Sequence, residues 1–181
     1  MKLAPFIRSI YVAPDAGVPM QKVIKAELMA HIGIQGDRYA QGIGTFSKAT
    51  PIKVRHISLI AEDGIRTANH LLEINHHPQF TGSETRRNII ISQISSEELN
   101  QLVGRTFYLG GLALKGIELC DPCQRPAKLL KKPDFINAFS TRGGIRAAIL
   151  ESGMLFSGSE LSIPHAHNSP HHPNQLFFND K

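Results

Sequence analysis

Cys120 and Cys123 stand three residues apart in LCDPCQRP and are the only cysteines in the 181-residue chain. A Cys-x-x-Cys pair serves three kinds of chemistry: half of a zinc site, a dithiol/disulfide couple, or one reactive thiol with a neighbour. Zinc needs a second pair of Cys or His at compatible spacing. The candidates are His165, His167, His171 and His172, about 40 residues further on in a Pro/His/Asn-rich segment. A thioredoxin-type couple opens a helix after a strand within a βαβ pattern, and Pro126 and the missing pattern count against it. A single functional thiol remains, with two inert buried cysteines as the alternative reading. Cys123 follows Pro122 at the end of a predicted strand and precedes Arg125, whose positive charge favours a thiolate able to ligate a soft metal or attack sulfur.

Arginines form the second constellation. Arg38 lies in GIQGDRY, Arg86 and Arg87 in TGSETRRNIII, and Arg142 and Arg146 in STRGGIRAAIL. Each group adjoins a glycine-bearing or polar turn beside a predicted strand, where backbone N–H groups and guanidinium forks jointly hold phosphate or carboxylate. Taken singly, each arginine also reads as a solvated surface charge. The formal net charge of +5 suits an anionic partner. Nucleic acid is only weakly signalled, because no Trp is present and no aromatic residues interleave with the basic ones. The Gly33–Gly44 stretch has neither the phosphate-loop spacing nor a GxGxxG opening a helix. No Ser-His-Asp set or carboxylate pair can be assigned from spacing.

The elements that must position these groups are mostly strands. Mixed apolar and polar runs predict strands over 6–12, 23–29, 52–60, 112–119, 145–150 and 160–163, and the apolar run NIIIS predicts a core strand over 88–92. Helices are predicted over 62–72 and after Ser95, where Ser-Ser-Glu-Glu starts an apolar stripe that Gly104 stops. Shorter helices fit 127–130 and 134–139. Many short strands with a few interposed helices predict a mainly β fold with some α (α+β), a barrel or sandwich rather than a βαβ sheet. Residues 1–163 read as one domain and 164–181 as a His/Pro/Asn-rich tail, with metal binding by its histidines a compositional suggestion only. No apolar run approaches the roughly 20 residues of a spanning helix. Pro5 and Arg8 break any signal-peptide core, so the expectation is a cytoplasmic protein with reduced thiols.

The motifs GIQGDRY, TRRNIII, LVGRTFYLGGLALKGIELCDPCQRP and GGIRAAILESGMLFSGSEL, in that order, resemble the MOSC domain of molybdenum-cofactor sulfurases and of small stand-alone proteins. The resemblance runs from about Ile10 to Ile163. It implies a largely antiparallel β-barrel with peripheral helices. It also implies molybdenum cofactor (molybdopterin), with Cys123 as metal ligand and catalytic centre and with Arg38, Arg86, Arg87, Asn88, Arg142 and Arg146 around the pterin phosphate. The implied activity is reduction of an N-hydroxylated small molecule with electrons from a partner protein. The alternatives are a sulfur carrier charged by a cysteine desulfurase, and a non-catalytic barrel binding an anionic ligand. Pyridoxal phosphate binding is a further association of the family, although the chain carries no pyridoxal-phosphate domain. Tyr39 stands where the family's common Gly-Asp-Arg-His turn has His, and Ser159 where the last turn has Asp.

Overall fold

The computed structural model describes residues 3–164, so the histidine-rich segment and the candidate zinc partners His165, His167, His171 and His172 lie outside the described residues. In chain order the elements are β1 (Phe6–Val12), β2 (Gln21–Val23), β3 (Lys25–Met29), β4 (Gly33–Ile34), β5 (Ile57–Ala61), α1 (Glu62–Ile74), β6 (Ile89–Ser92), α2 (Ser96–Asn100), β7 (Thr106–Leu109), β8 (Leu112–Leu119), α3 (Gln124–Leu130), α4 (Phe135–Phe139), β9 (Ile145–Ile149), β10 (Gly153–Phe156) and β11 (Leu161–Ser162). Eight strands form one sheet in the order β11-β7-β8-β9-β5-β6-β1-β2, and β10-β3-β4 form a smaller one. Every pairing is antiparallel except β5 with β6.

The large sheet curls until its first strand meets the residues leading into its last. Ile7 N–H donates to Ser159 O, Gly158 N–H to Ile7 O, and Leu161 N–H to Pro5 O, each at 2.8 Å. Inside the curl lie Ile7, Ile10, Leu59, Ile89, Ile91, Phe107, Leu114, Ile145 and Ile149. Strand β7 shows the period that fills it: Phe107 and Leu109 point in, Thr106 and Tyr108 point out.

A second cluster covers the outside of β5 and β6. Ile65, Ala68 and Leu72 on one stripe of α1 pack with Ile60, Ile90 and the rings of Phe80, Phe135 and Phe139, whose centroids lie 5.0–5.5 Å apart. Burial on both faces explains why β6 is apolar at three successive positions rather than alternating. The β5–α1–β6 crossover is a βαβ unit, which the composition of short strands had pointed away from; it sits inside an otherwise antiparallel barrel.

Two strand boundaries and one helix start differ from the sequence reading. Residues 52–56 are irregular, and the strand begins only at Ile57. The cause is a long-range contact: His56 Nδ1 accepts the Ile149 N–H at 3.2 Å, ending the backbone ladder there, and Ile52 is left 86% exposed. The run 23–29 breaks at Ile24, and Ile24 O accepts from Ser157 N–H. Helix α3 starts at Gln124, before Pro126, because proline is tolerated in a first helical turn where its missing N–H has no partner to lose. The helix start after Ser95 is as read, its hydroxyl accepting from Glu98 N–H while the Glu98 carboxylate accepts from Ser95 N–H, but the helix ends at Asn100 rather than running to the expected stop at Gly104.

Candidate functional site

Several segments converge on one open cleft: the Gly-Asp-Arg turn, the 40–56 loop that follows it, the start of β5, the Arg86-Arg87-Asn88 run into β6, the cysteine segment after β8 with α3, and β9. Six arginines line it, Arg38, Arg55, Arg86, Arg87, Arg125 and Arg146, together with both cysteines, Tyr39, Phe46 and Asn88. Asp121 is the one acidic residue in that lining.

The cysteine segment is anchored from three sides. Cys120 N–H donates to Gly144 O at 2.7 Å. Arg87 is buried and spends its guanidinium on main-chain carbonyls: Nε donates to Gly143 O at 2.8 Å, one terminal nitrogen to Cys120 O at 2.8 Å, the other to Thr85 O at 3.1 Å. The Gly-Gly turn is required by this packing. A Cβ at Gly143 would lie 2.3 Å from Cys120 O, and one at Gly144, where φ is +83°, would lie 1.9 Å from Leu59 O. Cys120 is thereby fixed and buried, whereas Cys123 is exposed at the start of α3. Both are free thiols, and both line one cleft.

Asp37 and Asn88 tie the opposite wall together. The buried Asp37 carboxylate accepts from Ala13 N–H at 3.1 Å, Tyr39 N–H at 3.0 Å, Asn88 Nδ2 at 3.3 Å and Arg38 at 3.3 Å. Asn88 Oδ1 accepts from the Ser58 hydroxyl at 2.8 Å and the Ser58 N–H at 3.1 Å, and Nδ2 also donates to Tyr11 O at 3.1 Å. Every polar atom of the Asn88 side chain is engaged inside the wall.

Arg86 behaves differently from its neighbour. It closes the 3-10 turn over Ser83–Thr85 with a φ of 62°, a left-handed backbone seldom adopted outside glycine, and donates to Val18 O. Its pKa is lowered to about 10, first by burial and then by the positive charges of Arg38 and Arg125, which the Asp37 carboxylate only partly offsets. Among the described residues no carboxylate lies within salt-bridge distance of Arg55, Arg86, Arg87 or Arg125. Arg146 is better matched: it donates to Glu118 at 2.5 Å, and although burial pulls its pKa down, the neighbouring Cys120 and Glu118 raise it overall.

The structure therefore brings Cys123, Arg38, Arg86, Arg87, Asn88 and Arg146 to one cleft and leaves Arg142 out of it. Arg142 donates to Ala138 O at 2.9 Å and borders a separate surface depression with Ser96, Asn100 and Thr141. Arg55 and Arg125 join the site without having been read as part of an arginine turn. Arg125 was visible only as the neighbour of Cys123. Arg55 sat in a run read as strand, although the preceding GIGTFSKATP has the composition of a loop mouth.

A curled, mostly antiparallel barrel carrying a thiol segment and an arginine-lined cleft at its strand ends defines the class. The chain belongs to the MOSC domain family, which matches residues 47–162 and is associated with molybdenum cofactor. The match begins after the Arg38 turn, so the fold rather than the family assignment brings that turn to the site. Three solved structures share the fold. The YuaD protein of Bacillus subtilis has a TM-score of 0.69 at 20% identity, over 88% of this chain and 94% of that one. YiiM of Geobacillus stearothermophilus has 0.63 at 14% identity, over 89% and 75%, and YiiM of Escherichia coli 0.65 at 10% identity, over 92% and 72%. No curated protein sequence matches the chain. Among the described residues no helix is long and apolar enough to cross a membrane.

Proposed function

We propose that the cleft binds molybdenum cofactor with Cys123 as the protein ligand to the metal, and that the protein reduces N-hydroxylated or similar N–O small molecules with electrons from a partner protein. The observation that carries this reading is the coincidence in one cleft of an exposed thiol with six arginines, four of which, Arg55, Arg86, Arg87 and Arg125, have no carboxylate within salt-bridge distance among the described residues. Among the described residues no group of three or more His, Cys, Asp or Glu converges to hold a metal ion, so a metal there must arrive with ligands of its own. A pterin dithiolene bearing a phosphate meets that requirement. The residues fit it: Arg38, Arg86 and Arg125 would hold the phosphate, Cys123 would offer its sulfur to the metal, and Ile57, Pro122, Leu129 and Phe135 supply apolar wall. Pyridoxal phosphate fits less well, because no lysine lines the cleft to form its Schiff base.

When bound, the cofactor supplies a redox-active centre able to take an oxygen atom from substrate. The chain's own residues do the positioning. Arg87 fixes the cysteine segment through the Cys120 carbonyl, and Asn88 and Asp37 fix the facing wall. Molybdenum and pterin content should be measured on protein made in a host that synthesises the cofactor, beside Cys123→Ser. Near-stoichiometric molybdenum in the native protein and its loss in a variant with an unchanged thermal midpoint supports the reading. Molybdenum retained by the serine variant removes Cys123 as ligand, and molybdenum absent from both removes the cofactor reading.

The exposure of Cys123 also favours a second reading, a persulfide carrier charged by a cysteine desulfurase, because an outside enzyme can reach this thiol. A one-sulfur mass adduct on Cys123 after incubation with a desulfurase and cysteine is its signature.

A further inference from the structure

One feature of the cleft is not used by a single phosphate. Arg55 lines it from the 40–56 loop, on a different segment from the Arg38, Arg86 and Arg125 cluster. Its Nε is buried and has no hydrogen-bond partner among the described residues. No carboxylate pairs with it among the described residues. A buried N–H on a permanent cation is costly to leave unmade, and a site that tolerates one is built to be completed by an acceptor from outside.

The guanidinium is also held in place. Its centre lies 4.9 Å from the Phe46 ring and 5.9 Å from the Tyr39 ring. Tyr39 is fixed in turn: a Cβ at Gly44 would lie 2.6 Å from two of its ring carbons, so only glycine lets the loop press flat against it. Arg38 sits over the same ring at 5.0 Å. One tyrosine thus carries both guanidiniums, which places them within about 11 Å of each other. Two linked phosphates, each accepting guanidinium N–H groups at about 2.8 Å, reach across that whole range, whereas a single phosphate reaches only the shorter part of it.

We infer that Arg55, Tyr39 and Phe46 form a second anion subsite and that the cleft accepts a diphosphate, one phosphate on the Arg38, Arg86 and Arg125 cluster and the other on Arg55. This rests on the same cleft as the proposed function but not on any metal. The diphosphate has two possible sources, a nucleotide-extended cofactor or a free organic diphosphate, and the chemistry recognised is the same.

The test is calorimetric titration of the purified protein with inorganic phosphate, inorganic pyrophosphate and a nucleoside diphosphate, beside Arg55→Gln and Arg86→Gln. Pyrophosphate should bind about tenfold or more tightly than phosphate, the contribution of one added charge-assisted contact. Arg55→Gln should erase that difference while leaving phosphate affinity unchanged, which also shows that the variant is folded; Arg86→Gln should weaken both ligands. Equal affinity for phosphate and pyrophosphate overturns the inference, as does a difference that survives Arg55→Gln or a loss of both ligands in that variant. A nucleoside diphosphate that binds more tightly than pyrophosphate supports the nucleotide-extended source, and equal binding supports the free diphosphate. Failure here leaves the molybdenum measurement untouched, so the two readings fall separately.

Discussion

Arg87 is the residue whose role the structure states most sharply. Its guanidinium is buried, has no carboxylate partner among the described residues, and donates to the carbonyls of Gly143, Cys120 and Thr85. Arg87→Met keeps most of the volume and removes all three donors. Each buried carbonyl left without its donor costs about 1–3 kcal/mol. Relief from holding a buried cation offsets part of this, so the net loss should be about 3 kcal/mol. For a chain of this length each kcal/mol moves the thermal midpoint by about 2–4 °C, giving a fall near 10 °C. The assay is a thermal melt without added ligand, paired with a urea titration whose slope should stay unchanged. Arg87→Lys should recover little, since an ammonium on a flexible stem cannot reach three carbonyls at fork geometry. A midpoint within about 2 °C of the native value in Arg87→Met would refute the staple. So would full recovery in Arg87→Lys, which would mark Arg87 as a charge for a ligand rather than a clamp on the chain.

Further outcomes follow from single contacts. His56 has its pKa lowered by burial first and by nearby His31 second, so the unfolded chain takes up its proton at higher pH than the folded one. Stability from this group is complete above its ordinary value near 6.5 and is lost as pH falls through the lower folded value; urea midpoints should drop across that window, and the drop should shrink in His56→Gln. Gly144→Ala should lose several kcal/mol or fail to fold, its Cβ meeting Leu59 O, while Gly158→Ala, with a similar φ of +89° and open space around it, should lose only about 1–2 kcal/mol in chemical denaturation. Iodoacetamide on the native protein should label Cys123 within minutes and leave Cys120 unlabelled until denaturant is added; peptide mass mapping that finds Cys120 labelled first would contradict the burial described.

What the sequence revealed and what it hid divide along the range of the interactions. The Ser95 capping box, the α1 stripe and the eight residues of β8 are set by neighbours a few positions apart, and all three were legible. The thiol pair and the Arg86-Arg87-Asn88 run were legible as chemistry. Their division of labour was not. Nothing in the string TRRN says that the second arginine faces inward to three carbonyls while the first keeps an unneutralised charge, because the carbonyls come from positions 85, 120 and 143. Arg55 was hidden for a related reason. Alternation through 52–60 promised one strand, and only the long-range bond from Ile149 to the His56 ring shows where the ladder stops and the loop carrying Arg55 begins. Short strands such as β10, GMLF, carry too few residues for a period to register.

The seam between β1 and the approach to β11 has a consequence for how the molecule can be cut and joined. Pro5 and Leu161 are hydrogen-bonded neighbours, so the first and last described strands leave the barrel side by side. The backbone is close to a ring opened at one point, an arrangement that lets domains tolerate moving the opening to an exposed reversal. A short tether across the seam, with new ends at the Gly110–Gly111 reversal between β7 and β8, would keep every strand pairing and every wall of the cleft while changing the order in which the ribosome delivers them. Whatever is fused at either end of residues 3–164 emerges at the same spot on the surface.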